Sequence, residues 1–306
     1  MLRANPRQHG LEPGGPWLYL KLYTGTGVAD RLLREVIAPI VHEAREQAII
    51  GRWFFLRYRD PVPHLRVRMR GDPRRLCGAS CCLEFTQRSR LGSSTNTSTG
   101  CRSTATTRSS NAMAAWLESI RGRLSGQNAA LALLAAIERD TDPANARWRT
   151  ALHGIHRLLV DLALAAADRR RVIDELAASF AAEHAVDVTL RRQLGDLHRR
   201  ERTEILVPDH AVGRRYALDA RSAAYPAALA GAHALAAAPG FAASMLHMHA
   251  NRMFATQARA QEFVVYDLLR RAYATLAALG PDNPLARTRG EHARQNRPRT
   301  PNVGSV

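Results

Sequence analysis

The sequence predicts an α+β fold, with an interrupted ferredoxin-like β-α-β-β unit at the N-terminal end and a largely helical C-terminal half. Three observations carry this. Trp17–Tyr23 and Trp53–Arg70 contain runs with the alternation and aromatic content of strands, and a helical pattern lies between them. From Leu117 onward, Leu, Ile and Val recur at three- and four-residue steps. Between these regions, residues 77–116 lose apolar periodicity altogether.

Taken in order, residues 1–15 read as a flexible leader rich in Pro and Gly. Trp17–Tyr23 alternates as a first strand. Gly25-Thr26-Gly27 turns into a helix from about Ala29 to Gln47, with Leu32, Leu33, Val36, Ile37, Ile40 and Val41 at helical spacing. Pro39 is expected to kink or split that helix. Two strands follow, Trp53–Tyr58 and His64–Arg70, joined by a tight Asp60-Pro61-Val62-Pro63 connection. This order is the first half of a ferredoxin-like unit, which a second helix and a fourth strand should complete. Residues 77–116 stand there instead. Ser, Thr and Arg dominate them, and at face value they form a disordered, low-complexity insert. Helices are expected at Ala129–Arg139, Arg147–Ala167, Arg170–Ala185 and Val188–Arg202, with Asp142-Pro143 separating the first two and further breaks at Pro208 and Pro226. A last long helix is expected from about Phe241 to Leu279, then a disordered tail over 282–306.

The third strand is where chemistry concentrates. In His64–Arg70, Leu65, Val67 and Met69 point to one face, and His64, Arg66, Arg68 and Arg70 to the other. The first face suits a core. The second gathers three guanidiniums and an imidazole, groups that fork onto carboxylates or phosphates. Repeated Arg with no acid alongside makes an anion site a better account than a solvated outer face.

Composition narrows the classes. A chain of 306 residues with 46% hydrophobic content buries a full core, as one large domain or two modest ones. No apolar run reaches membrane-spanning length, and the N-terminus lacks the apolar core of a signal peptide, so a cytoplasmic protein is expected. The net charge of +17, carried almost wholly by Arg, implies acidic partners. Direct nucleic-acid binding is not expected, because zinc-finger spacing and an aromatic RNA-binding signature are both missing. Cys77, Cys81, Cys82 and Cys101 lack zinc-ligand spacing, and a cytoplasmic setting argues against disulfides. No metal site is assigned.

A second motif lies near the C-terminus, at Ser244–Phe254 (SMLHMHANRMF). At about 100° per residue, His247 and Asn251 share one helix face and His249 and Arg252 another. Only one of the two histidines can therefore readily serve a given site. His153, His156 and His198 have no companion motif and read as surface or packing residues.

These two motifs carry a resemblance. The opening Trp17, Tyr19, Lys21, Leu22 and Tyr23, the run WFFLRYRDPVPHLRVRM and the SMLHMHANR segment together resemble the C-terminal elimination domain of lantibiotic dehydratases. The same domain occurs as the stand-alone thiopeptide-type bacteriocin biosynthesis protein. The resemblance implies one elimination-type domain over 16–281. It implies a carbon–oxygen lyase that removes glutamate from glutamylated Ser or Thr of a precursor peptide, leaving dehydroalanine or dehydrobutyrine. A separate, glutamyl-tRNA-dependent protein would install the glutamate. By the same resemblance Arg66 and Arg68 hold the glutamate carboxylates and His247 transfers the proton. His64, Asn251 and Arg252 stand near the substrate, and His249 occupies a position expected to vary. The chemistry implied uses no metal or organic cofactor. Two alternatives stay open: a pyridine-forming cyclisation enzyme of thiopeptide pathways, or a non-catalytic module that binds a leader peptide or partner enzyme.

One family feature is missing. A Tyr-x-x-Glu-x-x-Arg-Tyr-Gly-Gly-like segment, which supplies a functional Glu and Arg, should follow the second helix, and 77–116 occupies its place. That stretch reads as the family's own sequence translated in the wrong frame. Joining the third base of each codon to the first two of the next, Met113-Ala114 forces Gly and Asn111-Ala112 permits only Arg or Cys. Ser110-Asn111 permits Glu, Ala112-Met113 Tyr and Ala114-Ala115 Gly, so Glu-Arg-Tyr-Gly-Gly fits where it is required. A frameshift entering near Cys77 and leaving near Leu117 is the expectation, and with it an inactive chain as written.

Overall fold

The structure, a computed structural model, describes residues 17–72, 75, 127–206, 212–229 and 240–279. The expected leader, the 77–116 stretch, Pro208 and the 282–306 tail lie outside the described residues. The mixed α+β class holds: a three-stranded antiparallel sheet at the N-terminal end, then helices.

Strand β1 (Trp17–Tyr23) leads into α1 (Thr26–Leu32), a π-helical turn (Leu33–Ile37) and α2 (Ala38–Glu46). Pro39 therefore neither splits nor ends the helix. Proline has no N–H to give the regular ladder, and the wider π-helical turn immediately before it absorbs the mismatch. Strands β2 (Ile50–Arg59) and β3 (Pro63–Gly71) are each longer than expected and joined by a loop with a cis Asp60–Pro61 bond. β3 is central, in the order β1-β3-β2, and both pairings are antiparallel. A bulge between Ile50 and Arg52 starts β2. It brings the carbonyl of Ile49 to 1.9 Å from where a Cβ on Gly71 would stand, so only glycine fits there. The inner face of the sheet, Leu20, Leu22, Phe55, Leu65, Val67 and Met69, is buried against Leu33, Ile37, Ile40 and Val41 of the helix.

The helical half comprises α3 (Gln127–Glu138), α4 (Pro143–Asp161), α5 (Ala166–Glu183), α6 (Val188–Arg200), α7 (Arg202–Leu206), α8 (Val212–Leu229), α9 (Phe241–Met253) and α10 (Ala258–Leu279). Asp142 caps α4 by accepting from the Asn145 N–H at 3.3 Å, with Pro143 in the first turn, as the sequence indicates. α10 runs through the middle, touching α4, α5, α6 and α7. α4 and α9 approach so closely that a Cβ on Gly154 would lie 2.1 Å from Nε2 of His249. Among the described residues no helix is long and apolar enough to cross a membrane.

Two expectations about helix ends are corrected. Pro226 does not break α8, which continues to Leu229. Phe241–Leu279 is two helices rather than one, and no Gly or Pro marks the break. Phe254 leaves the helix in an extended conformation, fully buried, and Gln257 takes a left-handed φ of 43° before α10 begins. The break is fixed from outside. Arg57 Nε donates to the carbonyl of Arg252 at 3.0 Å, and Arg147 Nη1 to that of Met253 at 2.7 Å. These are end carbonyls that another helical turn would have engaged.

Both guanidiniums also close on Asp30 of α1: Arg57 on one carboxylate oxygen, Arg147 on the other at 2.7 Å. The backbone of Arg57 is held as well, since Asn251 Oδ1 accepts its N–H and Asn251 Nδ2 donates to its carbonyl, each at 2.9 Å. One amide side chain thus completes the ladder of edge strand β2. Burial by itself would raise the Asp30 carboxyl, but Arg57 and Arg147 outweigh it and hold Asp30 below the usual carboxylate value. Its folded value lies below an unfolded one of about 3.9, so its contribution is complete above that pH and is lost as pH falls through the folded value. Acid titration should show this limb in the wild type and a flatter one in Asp30→Asn. Arg57→Met, which strips a buried carboxylate of one partner and the Arg252 carbonyl of its own, should lower stability by on the order of 3 kcal/mol in urea unfolding.

Candidate functional site: a cationic sheet face and a histidine–glutamate pair

The face of β3 turned away from the core carries His64, Arg66, Arg68 and Arg70. Register places Tyr23 and Tyr58 beside His64, Lys21 and Leu56 beside Arg66, Phe54 beside Arg68 and Arg52 beside Arg70. None of these cross-strand neighbours is acidic. The face holds five cations, with aromatic rings between them.

Arg66 and His64 are brought together. His64 is buried between the rings of Tyr23 and Tyr58, at centroid distances of 5.1 and 5.8 Å. Its Nδ1 donates to the Val62 carbonyl at 3.0 Å, leaving Nε2 to accept from Arg66 Nε at 3.1 Å. The Arg66 guanidinium lies 3.5 Å from the centroid of the Tyr58 ring. Its terminal nitrogens have no protein partner among the described residues. That leaves an oriented fork suited to a carboxylate, with the buried His64 bonded to the arginine's Nε. Arg68, half-buried, lies over Phe54 at 5.6 Å.

The C-terminal motif divides as its spacing indicates. His247 is half-exposed, and its Nδ1 lies 3.1 and 3.0 Å from the two oxygens of Glu262 on α10. Glu262 is buried and accepts the Tyr266 hydroxyl at 2.8 Å, with Arg259 3.8 Å away. Burial, reinforced by Glu262, pushes the Tyr266 phenol far above its ordinary value, so it remains a donor. Asn251, expected at the substrate, has its amide engaged by the Arg57 backbone. Arg252, also expected there, is buried on the opposite face near His249. His249 is a core residue: its Nδ1 lies 3.1 Å from an Arg221 nitrogen, and its ring fills the space left by Gly154. Burial, then Arg221 and Arg252, keep it well below the usual histidine range.

Sequence reasoning missed Glu262, Tyr266, Asp30 and Arg147. The first two leave a readable trace. They stand four residues apart on a stripe continued by Leu269 and Tyr273, and a carboxylate inside such a stripe needs a partner. Asp30 and Arg147 leave none, because their meeting depends on tertiary packing. Distance along the chain also separates the two halves of the site. The link lies in Asn251, one helical turn beyond His247, which grips Arg57 next to Leu56, the β2 neighbour of Arg66.

The chain is 39% identical over 59 residues to the subtilin biosynthesis protein SpaB of Bacillus subtilis, a match spanning 19% of this chain and 6% of SpaB. In fold it is similar to the tRNA-dependent lantibiotic dehydratase MibB of Microbispora sp. 107891, at a TM-score of 0.62 and 22% identity, over 88% of this chain and 28% of MibB. It is similar also to TsrL (TM-score 0.59, 16% identity, 93% of this chain and 99% of that one) and to TbtD, the pyridine synthase of thiomuracin biosynthesis (0.58, 14%, 87% and 100%). Residues 17–273 match the family described as the lantibiotic biosynthesis dehydratase C-terminal region, and the chain belongs to that family.

Proposed function

We propose that the chain is the glutamate-eliminating component of a bacteriocin dehydratase, acting on a ribosomally made precursor peptide after a separate glutamyl-tRNA-dependent protein has esterified its Ser or Thr residues. The observation that carries this is the cationic face on β3, whose described cross-strand neighbours include no acid and on which Arg66 is already oriented by His64 and Tyr58. The substrate is an ester of glutamate, so its leaving group carries two carboxylates once the ester C–O bond breaks, and fixed guanidiniums match them. His247 takes the α-proton of the modified residue, the electron pair forms the α,β double bond, and glutamate departs with the ester oxygen. No redox partner or cofactor enters this balance. A cytoplasmic setting, where the precursor and charged tRNA are made, follows from the reading. The second reading, pyridine-forming cyclisation, is favoured by one observation: the likeness to TbtD extends over the whole of that protein.

The Glu and Arg of the family's missing segment are supplied, in this reading, by the alternative frame across 77–116. Restoring that frame from Cys77 to Leu117 should convert a chain that leaves glutamylated peptide untouched into one that dehydrates it, read by mass spectrometry. Dehydration by the chain as written would end the frameshift proposal. A restored chain that joins dehydrated residues into a ring, and leaves glutamylated ones alone, would favour cyclisation.

In the restored chain, Arg68→Ala should let glutamylated intermediates accumulate, visible as mass additions. Arg66→Lys should slow elimination about tenfold or more, since a point charge lacks the fork that His64 and Tyr58 orient. His247→Ala should abolish elimination with the fold intact. His249→Ala should instead lower the melting temperature, because it empties a core position. Complete dehydration by Arg68→Ala would remove that residue from the site.

A further inference from the structure

We propose that Glu262 is the positioning residue of His247: its buried carboxylate, locked by the Tyr266 hydroxyl, holds the imidazole by Nδ1–H and leaves Nε2 to take the proton. The inference rests on the reading of His247 as the base, and adds residues to that site that neither motif contains.

The geometry is specific. Both Glu262 oxygens lie within 3.1 Å of Nδ1, so the carboxylate faces the ring nitrogen squarely. Glu262 is almost wholly buried, whereas His247 is half-exposed, so the fixed partner is the acid and the ring presents its other nitrogen outward. Two groups hold the acid in place. Tyr266 donates to Oε1 at 2.8 Å from one turn along α10. Arg259 stands 3.8 Å from Oε2 and is itself held by Glu183, Nε to Oε1 at 3.1 Å, and by the Phe180 ring at 4.0 Å. Phe180 in turn packs edge-on against Tyr266 at 5.2 Å. A carboxylate needed only to satisfy a surface histidine would sit at the surface, where both partners keep their water. Burying it is unfavourable unless something requires a fixed anion there.

Such an anion does two things for a base. It selects the Nδ1–H tautomer, so the lone pair stands on Nε2. It also stabilises the imidazolium formed when Nε2 takes a proton, without taking that proton itself. A free imidazole, by contrast, prefers the Nε2–H tautomer, which presents a donor where an acceptor is required.

The test reads the tautomer and the rate separately. Long-range proton–nitrogen NMR of the full chain should show His247 as Nδ1–H. It should revert towards Nε2–H in the Glu262→Leu, Tyr266→Phe double variant, which leaves no buried polar group unpaired. With glutamylated peptide and the frame-restored chain, Glu262→Gln should lower kcat about a hundredfold with KM unchanged. Glu262→Asp should recover part of that loss, and Tyr266→Phe alone should lower kcat several-fold. An Nε2–H ring in the wild type, or a tautomer indifferent to the double variant, overturns the positioning role even if His247→Ala is inactive. Undiminished elimination by His247→Ala overturns the base assignment, and the proposal with it, whatever the tautomer.

Discussion

The Asp30 carboxylate, with a guanidinium on each oxygen, is the constraint on which the arrangement depends. Arg57 comes from β2, Arg147 from α4 and Asp30 from α1, and the same two arginines end α9 by taking its last carbonyls. Three segments far apart in sequence are thereby tied at one point. A single buried ion pair contributes little net stability once desolvation is counted. What this one supplies is position, since each of its charged groups is also hydrogen-bonded and cannot rearrange alone. Ending α9 at Met253 lets α10 start four residues after Phe254 and bring Glu262 to His247. Clamping Arg57 sets the phase of β2, and through its register the row of side chains beside Arg66 and Arg68.

The two chemical elements of the site therefore differ in kind. On the sheet, alternation separates the core side chains from the cations, and the outer face gathers positive charge that no cross-strand acid cancels. Lys21, Arg52, Arg66, Arg68 and Arg70 stand side by side there, with aromatic rings rather than cross-strand acids between them. On the helices the balance is reversed. The charge of Glu262 is buried and offset by donors on every side, so it orients a neighbour and binds nothing from solvent.

Much of this could be read from the residues, and the exceptions share a cause. Strand alternation in His64–Arg70 is local, so both the buried and the cationic faces were legible, as was the opposition of His247 and His249 around α9. Asp142-Pro143 marks a helix start because its cap lies three residues away. The break after Met253 was not legible, because its cause is two arginines 106 and 195 residues distant along the chain. Asn251 and Arg252 were placed near a substrate by motif alone. The structure gives the first to the Arg57 backbone and the second to the core. Pro226 misled in the opposite direction: the helix continues past it to Leu229, and a proline near a helix end costs a single backbone hydrogen bond.

The same distinction bears on the stretch whose frame is in question. Every contact that aims Arg66 or His247 is made between described residues outside 77–116. Val62, His64 and Tyr58 hold the arginine, and Glu262, Tyr266 and Arg259 hold the histidine. Neither arrangement borrows a group from the missing family segment. A Glu and an Arg restored there would join fixed partners, and need bring only their own side chains to bear on the substrate. That is the signature of a site whose frame and reacting groups are encoded apart. The fork at Arg66 and the imidazole of His247 are thus oriented by residues outside that stretch, within a family match that runs from Trp17 to Tyr273 across it.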